Sequence, residues 1–378
     1  MRVLQVTPTY SPSRGGIEDV VENLSRALTG LGVRSDVVHV APGLPESHRD
    51  DAGLTVMTTP LIGSSLVGIA PRLARIAASY DLIHVHDPRM AAISVTLALS
   101  RGLPPRLLST HGGFFHTPRL KWLKTIHRHV SAPLLLGGYQ AVLATSKSDL
   151  AFLSKSPGRT VVMENGVDIS RFKRSARQGP RAMERWICWG RLSSNKRLDR
   201  LVDLVGQARS VGRIIDLLIC GDDFDGLAPR LQAQIDHAGL GAQIRLSPAL
   251  SDEALRAEIG TRDVFVTAST YEGFGLTVIE AMAAGLVVVC RDMAPLNAFV
   301  ADGRTGIFLR FDGGDADLAT IARIMDLSPA DASGLFERGQ AVSARYDWSA
   351  KGRDFLALYC SVMDQRPGPA GQPAATQA

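Results

Sequence analysis

The chain has 378 residues, 45% of them hydrophobic and 21% charged, which excludes a disordered or fibrous protein and fits two domains better than one. Its longest apolar runs fall far short of the roughly 20 residues that cross a bilayer, so no spanning helix is expected. The net charge of +5 is uneven, because residues 1–174 carry +8 and the remainder −3. The basic half suits an anionic partner such as nucleic acid, a phosphorylated acceptor or an acidic membrane surface.

The first residues lead directly into a strand pattern, without the apolar core and cleavage site of a signal peptide. We therefore expect a cytoplasmic protein. The cysteines are widely spaced and form no Cys-x-x-Cys pair, which favours buried thiols over disulfides or metal ligands. They are Cys188, Cys220, Cys290 and Cys360.

Short β-branched runs alternate with helical patterns along the whole chain. In the first half they predict strands at 3–6, 35–40, 81–86, 107–109 and 141–145, with a helix over about 16–31. In the second half they predict strands at 185–189, 215–220, 244–246, 264–267 and 287–290, with helices such as 197–208 and 276–284. This alternation is typical of parallel sheets with crossover helices, so the sequence predicts an α/β protein with two doubly wound, Rossmann-like domains.

The segment 174–183 is polar, interrupted by glycine and proline and without a hydrophobic period, so it is the predicted linker. The first domain then covers 1–174 and the second 184–345. A last helix, 346–364, is expected to pack back toward the first domain, and 365–378 to form a disordered tail. Because open α/β sheets bind ligands beyond the carboxyl ends of their strands, the two domains are expected to face each other across a cleft.

The strongest chemical signal is the run from Glu272 to Glu280, EGFGLTVIE, which joins a strand to a helix beginning near Leu276. Its glycines let backbone amides approach a ligand, and the start of the helix favours an anion such as a diphosphate. Glu280 lies about one turn inside the helix, where its carboxylate can accept hydrogen bonds from both hydroxyls of a ribose. Alone, both glutamates could equally be solvated acids.

Other strands also end in candidate site residues. Gly15 and Gly16 would let the backbone come close to a diphosphate or an acceptor, although a plain turn has the same pattern. His111 follows a strand and precedes two glycines, a place where histidines are often structural. His84 and His86 share one face of their strand, and we expect them to line the cleft or the acceptor side rather than to bind zinc.

A basic amphipathic segment covers 114–139. Its cationic side chains, Lys121, Lys124 and Arg128 among them, alternate with apolar ones such as Trp122. A helix of this kind can lie in the headgroup layer of a membrane with its apolar side chains inserted. Packing against the other domain or another subunit is the alternative interpretation.

Several of these segments, in order and over nearly the whole chain, resemble the GT-B retaining glycosyltransferases of family 4. The run from Glu272 to Glu280 closely resembles the family's EX7E motif. The other matching segments are Gly15-Gly16, Ser109 to Gly113, Thr145-Ser146, Asn165 to Asp168, and Gly190 to Leu192 with Lys196.

The resemblance implies a site that binds a nucleotide-sugar donor and transfers its sugar with retention. It implies catalytic roles for His111, Glu272, Arg191 and Lys196, where the two cations neutralise the donor diphosphate. The implied donor-binding residues are Gly15, Gly16, Gly190, Arg191, Lys196, Gly273, Phe274, Gly275, Leu276 and Glu280. The acceptor or membrane side would include His86, Lys121, Trp122, Lys124 and Arg128. Family members manage the diphosphate without a metal, so neither a cofactor nor a metal at Asp222, Asp223 and Asp225 is expected.

Within the family, the run STHGGFFHT at 109–117 is most similar to the mannosyltransferases of xanthan- and acetan-type exopolysaccharide assembly. This implies GDP-mannose as donor, a glucose disaccharide on a polyprenyl diphosphate as acceptor, and a peripheral place on the inner face of the cell membrane. A UDP-sugar donor and a sugar-nucleotide epimerase are the alternatives within the same architecture.

Proteins of other classes fit the sequence less well. A dinucleotide-dependent dehydrogenase would need a GxGxxG turn that 13–16 lacks, and a nucleic-acid binder would need stacking motifs or a binding module. Nucleic acid is therefore not an expected partner.

Overall fold

The computed structural model describes residues 1–10, 16–51, 53–64, 68–87, 91–111, 135–147, 149–150, 159–172 and 183–364. Contacts divide the chain into two compact units. The first comprises Met1–Glu164 and the chain from Ser349 onward, and the second comprises Asn165–Trp348. The predicted tail, 365–378, and nearly all of the predicted linker lie outside the described residues.

The division falls at Glu164, before the predicted linker, for a clear physical reason. Val167, Ile169 and Phe172 are buried in the core of the second unit. The N–H of Val167 also donates to the carbonyl of Tyr346 over 2.7 Å, which ties this segment to the end of the same unit. Apolar side chains that the sequence placed in the first domain therefore belong to the second.

An eight-stranded sheet forms the first unit. Its strands are β1 (Arg2–Thr7), β2 (Arg34–Ala41), β3 (Ser47–Asp51), β4 (Leu54–Pro60), β7 (Leu82–His86), β8 (Arg106–Ser109), β9 (Ala141–Ala144) and β10 (Thr160–Val162), and β5 (Ile62–Gly63) with β6 (Gly68–Ile69) forms a separate hairpin. The order is β10-β9-β8-β7-β1-β2-β4-β3, and only β3 runs antiparallel to its neighbour. The helices are α1 (Gly16–Gly30), α2 (Pro71–Ala77) and α3 (Ala92–Leu99).

A six-stranded, fully parallel sheet forms the second unit. Its strands are β11 (Arg185–Trp189), β12 (Asp216–Cys220), β13 (Ile244–Ser247), β14 (Val264–Thr267), β15 (Val287–Cys290) and β16 (Ile307–Phe308), in the order β13-β12-β11-β14-β15-β16. The helices are α4 (Ile169–Phe172), α5 (Leu198–Ser210), α6 (Ala228–His237), α7 (Asp252–Thr261), α8 (Leu276–Ala283), α9 (Asp315–Met325) and α10 (Pro329–Ser343). The last helix, α11 (Trp348–Asp364), belongs to the first unit from Ser349 onward.

Apolar cores cover both faces of the second sheet. Along β11, Trp186 and Cys188 point into one core, while Ile187 and Trp189 point into the other, which also receives α8. Because strands buried on both faces are continuous β-branched runs, the central strands could be predicted from the sequence. The unpredicted strands include β4 and β10, which are only partly buried.

No helix among the described residues is long and apolar enough to cross a membrane.

Candidate active site

A glycine turn between β14 and α8 fixes the first turn of that helix. Gly275 has φ +95°, and a Cβ there would lie 2.5 Å from Cδ2 of Leu296, so conformation and space both require glycine. The buried ring of Phe274 packs edge-on against Phe299 and Tyr346, with centroids 6.0 and 5.8 Å away. The helix start, whose first amides have no partner within the helix, is thus held rigidly and favours an anion.

Glu272 in the same turn pairs with Lys196. Nζ of Lys196 lies 2.7 Å from Oε1 of Glu272, and the side chains are only 12% and 11% exposed. The hydroxyl of Ser269 donates to the same oxygen over 2.7 Å and lies 2.8 Å from the hydroxyl of Thr267. One carboxylate oxygen is therefore oriented by both a cation and a hydroxyl.

The loop that carries Lys196 is tied to the glycine turn through Asn195. The side-chain amide of Asn195 donates to the carbonyl of Tyr271 over 2.9 Å. In return, the N–H of Thr270 donates to the carbonyl of Asn195 over 2.8 Å. These bonds fix the two loops together, so the ammonium and the carboxylate keep their separation without a ligand.

The second glutamate of the motif is held by a tryptophan on β11. Nε1–H of Trp189 donates to Oε2 of Glu280 over 2.9 Å. The indole cannot turn away easily, because it packs against Phe265 at a centroid distance of 4.5 Å and stacks on Phe172 at 6.5 Å. Glu280 thus has a defined orientation one turn inside α8.

Arg191 has a different environment from Lys196. Gly190, with φ +121°, follows β11 and lies beside Gly221, where a Cβ would collide with the Gly190 carbonyl. Arg191 follows, exposed, with its guanidinium carbon 5.0 Å from the centre of the Phe224 ring. Within 183–364, no hydrogen bond or ion pair joins Arg191 to either glutamate of the motif. The two predicted cations therefore do not form one cluster here.

The aspartates of GDDFDG stabilise backbone turns. Asp223 accepts from the N–H groups of Leu227 and Ala228, over 2.6 and 3.1 Å, and Asp225 accepts from the N–H of Ser194 over 2.7 Å. Across the ranges that the structure describes, no group of three or more His, Cys, Asp or Glu side chains could hold a metal ion.

In the first unit, three histidines contact one another near the carboxyl ends of β7 and β8, His84 with His86 and His86 with His111. His84 and His86 are fully buried, with ring centroids 4.0 Å apart. Nδ1 of His86 lies 2.9 Å from Nε2 of His111, a partly exposed residue with φ +48°. The structure does not place His86 at a surface, because both its ring nitrogens face other side chains. Loss of contact between its ring and water lowers the pKa of His111 to about 4, although part of the residue stays exposed.

Gly15, Gly16 and the basic segment are the other predicted parts of the site. Gly16 is the exposed first residue of α1, and Gly15 lies outside the described residues. So do Lys121, Trp122, Lys124 and Arg128, and with them residues 114–134 of the predicted membrane segment.

Comparison with known proteins matches both halves of the chain. Residues 14–171 match the family model described as Glycosyltransferase Family 4, and 173–332 match Glycosyl transferases group 1. A Komagataeibacter xylinus protein named GDP-mannose:cellobiosyl-diphosphopolyprenol alpha-mannosyltransferase is 32% identical over 96% of this chain and 94% of its own. The chain is a family 4 glycosyltransferase. A protein of the same name from Xanthomonas campestris is also 32% identical, over 92% and 93% of the two chains.

Solved structures show that this glycosyltransferase has the GT-B fold. Sucrose-phosphate synthase from Thermosynechococcus elongatus superposes with a TM-score of 0.76 at 22% identity, covering 96% of this chain and 100% of the other. Anabaena HepE in complex with UDP and glucose gives 0.74 at 20% identity, with the same coverage. The prediction of two Rossmann-like parallel-sheet domains is therefore confirmed.

Sequence reasoning missed several side chains that orient the candidate site of this glycosyltransferase. Trp189 contacts Glu280, Ser269 contacts Glu272, and Asn195 joins the loop of Lys196 to the turn that carries Glu272. In the first unit, Gln5 contacts His86. The signal for Gln5 was present, because it is a single amide inside the apolar strand Val3 to Val6, where a buried polar group needs a partner.

Proposed function

We propose that this glycosyltransferase moves an α-mannosyl residue from GDP-mannose, with retention, to a glucose disaccharide on a polyprenyl diphosphate in exopolysaccharide assembly. One observation carries the choice of substrates. The K. xylinus and X. campestris relatives whose names state this donor and acceptor are 32% identical over more than nine-tenths of this chain.

In this proposal the second unit binds the donor. The start of α8 and the ammonium of Lys196 receive the diphosphate, which gains negative charge as the sugar departs. Fixed positive groups lower the barrier because they stabilise the transition state more than the bound donor. Arg191 would reach the diphosphate by leaving the Phe224 ring, a change that a flexible exposed side chain can make.

The two glutamates have separate proposed roles. Glu280, oriented by Trp189, binds the ribose hydroxyls of the nucleotide. Glu272 orients hydroxyls of the transferred sugar rather than attacking its anomeric carbon. An oxygen that already accepts from an ammonium and a hydroxyl is a weakened nucleophile, and this supports the orienting role.

Retention then requires the acceptor hydroxyl to attack from the face that the diphosphate leaves, with the departing phosphate taking the proton. The first unit binds the acceptor, and His111 contacts the reacting groups without acting as a strong base. A pKa of about 4 supports this assignment, because such an imidazole accepts a hydrogen bond at neutral pH but does not retain a proton.

The acceptor is a lipid, so the proposed place of reaction is the inner face of the cell membrane. The net charge of +8 on residues 1–174 supports binding to anionic lipid. The basic segment 114–139 is the proposed contact.

A donor panel tests the proposal. The purified protein is incubated with a synthetic lipid-diphosphate glucose disaccharide and one of GDP-mannose, UDP-glucose, UDP-galactose or UDP-N-acetylglucosamine. We expect product only with GDP-mannose, and NMR should show an α-mannosidic linkage. Product from a UDP-sugar alone would overturn the donor assignment, and a β linkage would overturn retention.

Donor incubated without acceptor separates a transferase from an epimerase. A transferase hydrolyses the donor slowly at most, whereas an epimerase converts it to another nucleotide sugar. Conversion without acceptor would contradict the proposed function.

A further inference from the structure

A continuous line of side chains runs through the first unit to His111. Nε2 of Gln5 lies 3.2 Å from the hydroxyl of Ser35, and Oε1 of Gln5 lies 2.8 Å from Nε2 of His86. Nδ1 of His86 then lies 2.9 Å from Nε2 of His111. Ser35, Gln5 and His86 are all buried, so solvent cannot substitute for any of these partners.

The orientation of the Gln5 amide gives this line a direction. Its nitrogen donates to the hydroxyl of Ser35 over 3.2 Å. Its oxygen therefore faces His86. Because a carboxamide oxygen can only accept, Nε2 of His86 carries the hydrogen of that contact.

Both imidazoles in the line are neutral near pH 7. Burial lowers the pKa of His86 well below its usual 6.5 and lowers that of His111 to about 4. A neutral imidazole has one N–H and one lone pair. With its hydrogen on Nε2, His86 has a lone pair on Nδ1, so Nε2 of His111 must donate to it. The lone pair of His111 is then on Nδ1.

Hydrogen bonds of Thr110 fix the backbone next to His111. The preceding residue, Thr110, is buried, and its hydroxyl donates to Oδ2 of Asp149 over 2.6 Å. The N–H of Thr110 donates to the carbonyl of Leu143 on β9 over 3.2 Å. Among the residues described by the structure, Nδ1 of His111 has no hydrogen-bond partner.

We propose that Gln5 and His86 are positioning residues that hold His111 as the Nε2–H tautomer, so that Nδ1 accepts a hydrogen bond from a hydroxyl of the bound sugar substrates. The inference rests on the proposed function, which places His111 at the reacting groups. In this arrangement the hydroxyl donates its hydrogen to Nδ1 of His111 and keeps both of its lone pairs for other contacts. The opposite tautomer would donate to the hydroxyl oxygen and occupy one of those lone pairs.

Nitrogen-15 NMR of the full-length protein labelled at histidine tests the tautomer directly at pH 7. We expect His86 and His111 both to carry hydrogen on Nε2, with the lone-pair shift at Nδ1. Hydrogen on Nδ1 of His111 would overturn the proposal, whatever the donor and acceptor prove to be. This measurement needs no substrate, so its failure is distinct from failure of the proposed function.

Gln5→Met tests the effect on catalysis, since methionine has a similar shape but no acceptor oxygen. We expect the Nε2–H signal of His111 to be lost or divided between nitrogens and kcat to fall at least about tenfold, within the roughly 10⁴-fold loss that a wrong histidine tautomer can cause. The KM for donor should not change. Gln5→Glu restores an acceptor and should restore the tautomer and most of kcat.

Tyr139→Phe is the matched control, because it removes another buried hydrogen bond of the first unit, 2.8 Å long, to Ser94. It should leave the tautomer and kcat unchanged. Equal loss of kcat in Gln5→Met, Gln5→Glu and Tyr139→Phe would mean that destabilisation alone explains the effect, which would overturn the positioning role. If His111→Ala keeps full transferase activity while the wild-type spectra agree, the proposed catalytic role of His111 fails and the tautomer assignment stands.

Discussion

Lys196 and Glu272 form a nearly buried ion pair, with Nζ 2.7 Å from Oε1, between the loop after β11 and the turn before α8. Removing one partner of such a pair leaves the other charge unpaired in a poorly solvated place, which is more costly than losing an exposed pair. The pair therefore links the stability of the second unit to the proposed donor site.

Lys196→Ala should reduce kcat about 10²- to 10³-fold, the usual loss when one transition-state charge partner is removed. It should also lower the free energy of unfolding by about 3 kcal/mol, because Glu272 loses its cation. Steady-state transfer assays and urea denaturation measure the two effects. Arg213→Ala removes the exposed pair with Asp326, so it should leave both stability and kcat nearly unchanged. Near-normal turnover in Lys196→Ala would contradict its assigned role.

Trp189→Phe should raise the KM for donor about tenfold with little change in kcat. The phenyl ring keeps most of the packing on Phe265, but Glu280 loses the N–H that orients Oε2, a hydrogen bond to a charged group worth about 1.5–3 kcal/mol. Trp186→Phe is the control, since its buried indole donates to the carbonyl of Met183 over 2.7 Å. It should lower stability and leave the donor KM unchanged. An unchanged KM in both variants would argue against a role for Glu280 in holding the nucleotide.

Stability should decrease below about pH 6.5 because His84, His86 and His111 of the first unit are held in the neutral form. Loss of contact with water lowers the pKa of His84 to about 3, that of His86 well below 6.5 and that of His111 to about 4. Below pH 6.5 the unfolded chain binds protons that the folded chain does not, so unfolding becomes more favourable by about 1.4 kcal/mol per pH unit for each group. The loss continues until the pH reaches the folded-state pKa, and no loss occurs above pH 6.5.

Urea denaturation followed by circular dichroism between pH 5 and pH 7.5 measures this slope. His84→Gln should remove the contribution of one histidine to this slope, even if it also lowers the free energy of unfolding at pH 7.5. His237→Gln, at an exposed position of α6, should leave the slope as in the wild type. A slope that His84→Gln does not alter would show that His84 is not buried as a neutral group.

Replacing Lys121, Lys124 and Arg128 together with Glu should weaken binding to anionic vesicles about a hundredfold or more. Each cation near an anionic surface contributes about 1 kcal/mol, and the replacements also add repulsion. Sedimentation with vesicles containing phosphatidylserine measures the affinity. Glu replacements at Arg230, Arg256 and Arg304, which are exposed in the second unit, make the same change in net charge. Similar losses in both triple variants would mean that net charge, rather than the 114–139 segment, drives binding.

The sequence by itself determined the architecture and the local parts of the site. Buried parallel strands are continuous β-branched runs, and crossover helices repeat their apolar residues every turn, so both units could be predicted from local pattern. The glycine turn at 273–275 could also be predicted, because Gly275 needs φ +95° within its own turn. Edge strands such as β10 were missed because their burial is incomplete and their pattern correspondingly weak.

Only the tertiary structure decided which side chains meet. Lys196 reaches Glu272 because β11 and β14 are neighbours in the sheet, although the two residues are 76 positions apart. Gln5 reaches the histidines of β7 because β1 pairs with β7, and His86 lies opposite Ser109 because β7 pairs with β8. Sequence specifies which groups can donate, accept or carry charge. Strand order and register, which depend on packing over the whole unit, determine the partner that each group finds.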